Sequence, residues 1–275
     1  KTLKLEESID KRRETNMKVV ILCGGMGTRL REETEVKPKP MVEIGGMPIL
    51  WHIMKTYSHY GFKEFILCLG YKGSVIKEYF YNYEMLSNDF TIELGTNNIK
   101  IHPRHSEHGW KITLVDTGIN TMTGARVKRI EKHIEEEMFM LTYGDGVSDI
   151  NIQELLEYHK SHGKIGTVTG ASPPSRYGEL LIHQDKVLSF GEKPTSGDNS
   201  INGGYFVYNK KIFDYLKDEE NCVLEREPLE MLVKDKELQV YQHAGFWQCM
   251  DTYRDYKYLN EIWKTSNPPW KVWND

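Results

Sequence analysis

A glycine-rich loop directly follows an apolar, strand-like run near the start of the chain and limits what this chain can fold into. Residues 19–22 are apolar, and Gly24, Gly25 and Gly27 follow within five positions. Glycines let the backbone pass close to a bulky group and turn its N–H groups inward, as phosphate- and base-binding loops require. The cations Arg29 and Lys39 come next, so the segment indicates a nucleoside triphosphate site at the end of a strand.

The spacing of this loop excludes two better-known phosphate loops. A Walker loop ends in Gly-Lys-Ser/Thr, whereas this chain has Gly27, Thr28 and Arg29 in sequence. The dinucleotide fingerprint needs a last glycine where this chain has Leu30. A tight turn after a strand explains a lone glycine cluster equally well, but the downstream Lys-Pro-Lys-Pro at 37–40 makes the signature longer than a turn requires.

Apolar strand-like runs alternate with amphipathic helical stretches along the chain. Helices are predicted over residues 48–59, 74–85 and 152–162, and strands over 19–22, 65–69, 112–115, 138–142, 165–169 and 201–208. This alternation predicts an α/β fold with a doubly wound, mostly parallel sheet. After about residue 172, short strands and Gly/Pro-rich loops predict smaller β-rich insertions on the same sheet. Ligands of such sheets bind beyond the carboxyl ends of the strands.

Composition narrows the classes of partner. The formal net charge is −4, with 36 Lys and Arg against 40 Asp and Glu, which argues against a nucleic-acid or membrane-surface partner. No apolar run approaches 18 residues, so we expect no membrane span and a cytoplasmic protein. The cysteines are widely spaced, which favours buried thiols over disulfides or a zinc site: Cys23, Cys68, Cys222 and Cys249.

Residues 1–16 differ from the rest of the chain. They are highly charged, contain few large apolar residues and precede Met17. We expect them to be a cloning remnant, the product of an alternative start or a genuine extension. Residues 17–275 show no linker or internal repeat, so they are expected to form a single catalytic domain.

Longer blocks of the sequence resemble the sugar-1-phosphate nucleotidylyltransferases. The loop at 24–30 and the Lys-Pro-Lys-Pro-Met block at 37–41 match the broad superfamily. The chain is similar in particular to the glucose-1-phosphate cytidylyltransferases within it. That narrower resemblance lies in Glu-Glu-Thr at 32–34, Val-Glu-Ile-Gly-Gly at 42–46, Thr-Leu-Val-Asp-Thr-Gly at 113–118, Thr-Tyr-Gly-Asp-Gly at 142–146, Ile-Asn-Gly-Gly at 201–204, Gly-Phe-Trp-Gln at 245–248 and Met-Asp-Thr at 250–252.

The resemblance implies a Rossmann-like nucleotidyltransferase fold whose β-rich insertions bind a sugar. It implies CTP and glucose 1-phosphate as substrates, CDP-glucose as the product and Mg²⁺ as the cofactor. It also implies a role in making CDP-derived deoxysugar and O-antigen precursors. Related enzymes form oligomers, several of them hexamers, so the resemblance implies a homo-oligomer.

Two cations are the candidate catalytic residues. Attack of a sugar phosphate on the α-phosphorus brings two polyanions together, so the reaction needs positive charge and backbone donors rather than a protein nucleophile. Arg29 can hold the β- and γ-phosphates bidentately. Lys39 lies between two stiffening prolines, and the resemblance makes it the lysine that contacts the α-phosphate.

Two aspartates are the candidate metal ligands. Asp145 lies between glycines at a predicted strand end, and carboxylates are usual ligands of Mg²⁺. The resemblance supplies Asp251 as the second ligand, since no spacing shows that the two meet. Asp251 followed by Thr252 also matches the start of a helix that runs to about Trp263, so a capping role is the alternative.

The resemblance also assigns the nucleotide and sugar contacts. Thr121 and Arg126 would read the cytosine and contact phosphate, although Ala125 stands where the family often has glycine. Thr123 is a possible helix cap in the same stretch. The remaining residues expected to line the nucleotide are Leu22, Gly24, Gly25, Gly27, Thr28 and Gly144. The residues expected to bind the sugar phosphate are Glu192, Lys193, Asn202 and Gly203.

Three alternatives stay open at this point. A uridylyl- or thymidylyltransferase with the same loop would share every cation and carboxylate. A nucleotide-sugar binder that has lost catalysis is disfavoured because Arg29, Lys39, Asp145 and Asp251 are all present. A glycosyltransferase also uses an aspartate–metal site, but it has no triphosphate for the glycine loop to hold.

Overall fold

The computed structural model describes residues 17–96, 98–172, 179–183, 186–191 and 200–274. In chain order, the strands are β1 (Lys18–Leu22), β2 (Glu43–Ile44), β3 (Met47–Pro48), β4 (Glu64–Leu69), β5 (Asp89–Glu93), β6 (Asn98–His102), β7 (Lys111–Asp116), β8 (Met138–Tyr143), β9 (Gly146–Ser148), β10 (Gly166–Ala171), β11 (Glu179–His183), β12 (Lys186–Gly191), β13 (Ile201–Asn209), β14 (Leu238–His243) and β15 (Trp247–Cys249). The α-helices are α1 (Arg31–Thr34), α2 (Ile49–His59), α3 (Gly73–Tyr81), α4 (Tyr83–Ser87), α5 (Thr123–Arg129), α6 (Ile152–His162), α7 (Glu227–Lys234) and α8 (Tyr253–Trp263).

One seven-stranded sheet organises the molecule, in the order β14-β10-β13-β8-β1-β4-β7. Neighbouring strands pair in parallel except where β13 lies between β10 and β8, to both of which it is antiparallel. The predicted α/β fold with a mostly parallel sheet is therefore confirmed. The carboxyl ends of β1, β4, β7 and β8 meet at one edge of this sheet, which is the edge where ligands of such folds bind.

Helices cover both faces of the sheet because successive residues of the central strand point to opposite sides. Val19 and Ile21 of β1 belong to a core with α2, α6 and α8, whereas Val20 and Leu22 belong to a core with α5 and α7. A strand buried on both faces reads as a continuous apolar run, as residues 19–22 do. The doubly wound arrangement is thus confirmed by two separate cores.

The helix predicted over residues 74–85 is two helices in the structure. Asn82 ends α3, where its side-chain amide donates to the carbonyl of Glu78 at 2.9 Å. A polar side chain that bonds back to the preceding turn competes with continuation of the helix. A second short helix, α4, then starts at Tyr83.

Strands β5 and β6 form a hairpin that was not among the predicted strands. Nearly all of its strand residues are exposed, so it stands away from the seven-stranded sheet. Cross-strand partners share a face, and the pairs Phe90–Ile101 and Ile92–Ile99 make one face apolar. Within the described part of the chain, no helix is both long and apolar enough to cross a bilayer.

Candidate active site

A cavity of about 300 Å³ lies at the carboxyl edge of the sheet, beyond β1 and β8. It gathers most of the residues predicted for the nucleotide, the phosphates and the metal. Those lining it are Leu22, Gly24, Gly25, Gly27, Thr28, Arg29, Lys39, Thr121, Arg126, Gly144, Asp145 and Asp251. Residues that are far apart in the chain therefore meet at the carboxyl edge of the sheet, where the predicted fold places a ligand site.

The Lys39 ammonium lies between the two candidate metal ligands. Its Nζ is 2.5 Å from Oδ2 of Asp145 and 2.5 Å from Oδ1 of Asp251. The side chain of Lys39 is only 11% exposed, so the three groups form a largely desolvated ion cluster. Charge-assisted hydrogen bonds of this kind are shorter and stronger than neutral ones.

The cluster keeps Lys39 and Asp251 charged. Burial by itself would lower the pKa of Lys39, but the two carboxylates outweigh burial and hold that pKa above its ordinary value. Burial would likewise raise the pKa of Asp251, but Lys39 and then Arg29 hold it below its ordinary value. The cation and the carboxylate thus stabilise each other's charged form despite their burial.

Arg29 approaches the same cluster from the solvent side. Its Nη1 is 3.0 Å from Oδ2 of Asp251, while its side chain is 73% exposed. An ion pair with an exposed arginine is weak, so the arginine side chain can reorient toward a more highly charged anion. Arg29 is therefore able to move toward another anion, whereas Lys39 is held in place.

A second small sheet brings Asp145 and Asp251 together. Strand β9 starts one residue after Asp145, and β15 ends two residues before Asp251, and the two strands pair antiparallel. The N–H of Met250 then donates to the carbonyl of Asp145 at 2.8 Å. The backbone next to each carboxylate is therefore tied to the other, a long-range pairing that no local pattern in the sequence could reveal.

Arg126 joins the loops around the nucleotide cavity. Its Nη1 and Nη2 atoms donate to one hydroxyl and four carbonyl oxygens, those of Thr117, Leu69, Gly118, Gly24 and Ile119. Gly24 packs so closely on the guanidinium that a Cβ there would lie 2.2 Å from Nη1. In the structure Arg126 thus fixes the glycine loop, and its contact with the nucleotide stays a prediction.

Thr121 is buried and lines the same cavity. Its hydroxyl accepts a hydrogen bond of 2.8 Å from Nη1 of Arg129, which also donates to the carbonyl of Thr117. Thr123 starts α5 but does not cap it with its side chain. Its hydroxyl instead donates to Glu225 at 2.6 Å and accepts from the N–H of Leu224. The expectation that Thr123 caps this helix was therefore wrong.

Of the residues predicted to bind the sugar, Asn202 and Gly203 do not themselves line the cavity. The Asn202 amide donates to the Tyr143 hydroxyl at 3.3 Å, and Tyr143 in turn donates to Glu225. The carbonyl of Gly203 accepts a hydrogen bond of 2.6 Å from Nε1 of Trp247. The other two residues predicted to bind the sugar, Glu192 and Lys193, lie outside the described residues.

Sequence reasoning missed part of the site. Tyr143 and Met122 line the cavity, and Asp255 holds the segment that carries Asp251. Tyr143 immediately precedes Gly144 and Asp145, so its position at the strand end was the available signal. The helix cap at α8 is Thr252 rather than Asp251, which leaves the Asp251 carboxylate free for the cavity.

Comparison of the sequence with models of protein families shows which family has this arrangement of residues. The model of the nucleotidyl transferase family matches residues 18–275. The chain belongs to the nucleotidyl transferase family. The matched residues include β1, the glycine loop and both aspartates, so the cavity lies within the part of the chain that the family model matches.

Individual relatives agree with the family. The glucose-1-phosphate cytidylyltransferase of Salmonella typhimurium is 51% identical over 258 residues, which are 94% of this chain and 100% of that protein. A probable glucose-1-phosphate cytidylyltransferase of Bacillus subtilis is 48% identical, with 94% and 100% covered. The structure of a putative glucose-1-phosphate thymidylyltransferase from Bacillus anthracis shares the fold, with a TM-score of 0.64 at 19% identity over 91% of this chain and 96% of that one.

Proposed function

We propose that this chain transfers a cytidylyl group from CTP to glucose 1-phosphate and releases pyrophosphate. An oxygen of the sugar phosphate attacks the α-phosphorus, the bond from that phosphorus to the bridging oxygen of the leaving group breaks, and CDP-glucose and pyrophosphate result. The observation that carries the proposal is the cluster of Lys39, Asp145 and Asp251 in a chain 51% identical to a glucose-1-phosphate cytidylyltransferase.

Each cation has a separate part in this reaction. Lys39, buried and held by two carboxylates, stays protonated and presents fixed positive charge where negative charge develops on the α-phosphoryl group. Arg29 is exposed and weakly paired, so it closes on the β- and γ-phosphates and stabilises the pyrophosphate that leaves. The N–H groups of the glycine loop hold the nucleotide, and Arg126 keeps that loop in place.

Asp145 and Asp251 have the chemistry to hold Mg²⁺. Both present hard carboxylate oxygens to one point that already attracts a cation, the ammonium of Lys39. In the described part of the chain, no group of three or more His, Cys, Asp and Glu residues could hold a metal ion. The two carboxylates would therefore bind Mg²⁺ together with substrate oxygens, as is usual for this ion. When bound, Mg²⁺ neutralises charge on the phosphates.

The sugar contacts come from the strand next to the cavity. Asn202 and Gly203 lie at the start of β13, where Asn202 hydrogen-bonds to Tyr143, a residue that lines the cavity. Together with Glu192 and Lys193 they are proposed to bind the hexose and its phosphate. CDP-glucose made here would supply the synthesis of CDP-derived deoxysugars and O-antigen precursors.

We also propose that residues 17–275 act as one catalytic unit and that copies of the chain form a homo-oligomer. Strands from Lys18 to His243 share one sheet, which supports residues 17–275 acting as a single catalytic unit. The apolar face of the β5–β6 hairpin supports a homo-oligomer, because such a face is poorly suited to solvent.

Measuring pyrophosphate release tests the proposal. The protein with Mg²⁺ and glucose 1-phosphate is incubated separately with CTP, UTP, dTTP, ATP and GTP. We expect turnover with CTP to exceed that with the other nucleotides, and CDP-glucose to form in equal amount with pyrophosphate. Preferred turnover of UTP or dTTP would show that the enzyme transfers a uridylyl or thymidylyl group instead. If no nucleotide gives pyrophosphate, the chain would be a nucleotide-sugar binder or a glycosyltransferase rather than a nucleotidylyltransferase.

A further inference from the structure

We infer that the carboxylate of Asp255 is a positioning group that holds Asp251 in place opposite Asp145. Asp255 is buried, and it lies in the first turn of α8. It does not line the cavity, so it acts through Asp251 rather than on a substrate. The role of Asp251 as a carboxylate for Mg²⁺ rests on the proposed function, but its placement by Asp255 can be judged without it.

The Asp255 carboxylate accepts more hydrogen bonds than a helix cap requires. An ordinary capping box needs its carboxylate to accept from the N–H of the cap residue, here Thr252 at 2.9 Å. The same oxygen also accepts from the N–H of Asp251 at 3.1 Å and from the Thr252 hydroxyl at 2.9 Å. Its second oxygen accepts from the side-chain amide of Gln248 on β15 at 3.2 Å.

These contacts place Asp251 between two anchors. On one side, the N–H of Met250 donates to the carbonyl of Asp145. On the other, the N–H of Asp251 itself donates to Asp255. With its backbone tied at both ends, Asp251 points its carboxylate at Nζ of Lys39, where it meets the carboxylate of Asp145.

Loss of Asp255 would release this segment. The N–H groups of Asp251 and Thr252 would lose their acceptor, and partly buried donors without a partner favour rearrangement of the backbone. Mg²⁺ requires near-ideal geometry at short distances, so a shift of one carboxylate weakens its binding. Removal of groups that orient metal ligands commonly lowers metal affinity by about 10–100-fold.

Asn151 provides a matched control. Its side chain caps α6 by accepting from the N–H groups of Gln153 and Glu154, each at 3.1 Å. Asn151 does not line the cavity. Asn151→Ala therefore removes the side-chain cap of a helix, as Asp255→Ala removes one half of a capping box, but it does not touch the segment that carries Asp251.

Two readouts on the whole chain separate positioning from capping. Manganese binding to the CTP-saturated protein is followed by electron paramagnetic resonance, with a blank of CTP and Mn²⁺ alone. Acylation of Lys39 in metal-free protein is followed by peptide mass spectrometry, because displacement of Asp251 exposes and loosens that lysine. Wild type, Asp255→Ala, Asp255→Asn and Asn151→Ala are compared, and thermal unfolding is recorded for each.

We expect Asp255→Ala to weaken Mn²⁺ binding by about 10–100-fold and to speed acylation of Lys39. Asp255→Asn keeps one acceptor oxygen and should fall between Asp255→Ala and wild type. Asn151→Ala should lower thermal stability while both readouts stay at wild-type values.

Equal effects of Asp255→Ala and Asn151→Ala on stability, with unchanged Mn²⁺ binding and Lys39 acylation, would overturn the inference. If Asp255→Ala does not fold, Asp255→Asn must shift both readouts in the stated directions, and wild-type behaviour of that variant overturns it too. Wild-type protein that binds no CTP and Mn²⁺ would contradict the proposed function, whereas the acylation of Lys39 would still decide the placement of Asp251.

Discussion

Lys39 and Lys37 show how two neighbouring lysines of one motif take different roles. Lys39 is buried between Asp145 and Asp251, whereas Lys37 pairs with Glu43 at 2.9 Å in an exposed position. The prolines at 38 and 40 hold the intervening backbone in a short 3₁₀ turn that aims Lys39 inward. Only the lysine enclosed by carboxylates presents a fixed charge to a substrate.

Replacement of Lys39 by Ala should lower kcat by about 100-fold or more, because a preorganised cation is lost from the transition state. Initial rates of pyrophosphate release with saturating CTP, glucose 1-phosphate and Mg²⁺ measure the effect. Lys37→Ala is the matched control and should change kcat little, since an exposed ion pair contributes little. Wild-type turnover of Lys39→Ala would remove Lys39 from the catalytic residues.

At the scale of a single element, α2 shows a buried histidine that must stay neutral. The Nε2 of His52 lies 2.9 Å from the carbonyl of Ile44, so Nε2 carries the proton. Its other nitrogen, Nδ1, accepts from Nε1 of Trp270 at 3.4 Å. A second proton on the ring would face that indole N–H, and burial lowers the pKa of His52 to about 4.

This histidine should make stability depend on pH in the acid range. The unfolded chain binds a proton at His52 near pH 6.5, whereas the folded chain binds it only near pH 4, so stability falls as pH falls through that window. The loss amounts to roughly 3 kcal/mol of unfolding free energy by pH 4. Urea unfolding at several pH values measures it.

His52→Gln should flatten this dependence, although His159, whose pKa burial also lowers to about 4, keeps part of it. His59→Gln is the control, since His59 lies exposed on the same helix. A pH dependence between 6.5 and 4 that His52→Gln leaves unchanged would contradict a neutral, buried His52.

At the scale of the whole molecule, the β5–β6 hairpin has an apolar face that no other described part of the chain covers fully. Phe90, Ile92 and Ile99 on its apolar face are each nearly half exposed. A two-stranded hairpin is at best marginally stable in water unless something packs on its apolar face. A second copy of the chain covers such a face in the proposed homo-oligomer.

Ile92→Asp should therefore shift the protein toward smaller species in sedimentation velocity. Placing a charge in a buried apolar contact is unfavourable, whereas the same charge on the polar face of the hairpin stays in solvent. Thr91→Asp, on that polar face, is the matched control and should sediment as wild type does. A monomeric wild-type protein, or an Ile92→Asp variant with unchanged assembly, would contradict self-association through the hairpin.

The strands and the glycine loop were predictable because their signals are short-range. A strand buried on both faces must be a continuous apolar run, as residues 19–22 are, and a loop that passes close to a guanidinium must have glycine at Gly24. Breaks such as Asn82 were not predicted because the helical period continues across them. The hairpin was not predicted, although residues 89–93 and 98–102 each alternate polar and apolar side chains, which was the available signal.

The sequence by itself determined which chemical groups end the strands: a glycine loop, two cations and an aspartate between glycines. These depend on local periodicity and backbone freedom, which each segment carries alone. Only the tertiary structure decided that Lys39 lies between Asp145 and Asp251. It also decided that the Arg126 guanidinium donates mainly to backbone carbonyls of the surrounding loops. Such meetings depend on the order of strands in the sheet and the pairing of β9 with β15, which arise from packing across the whole chain.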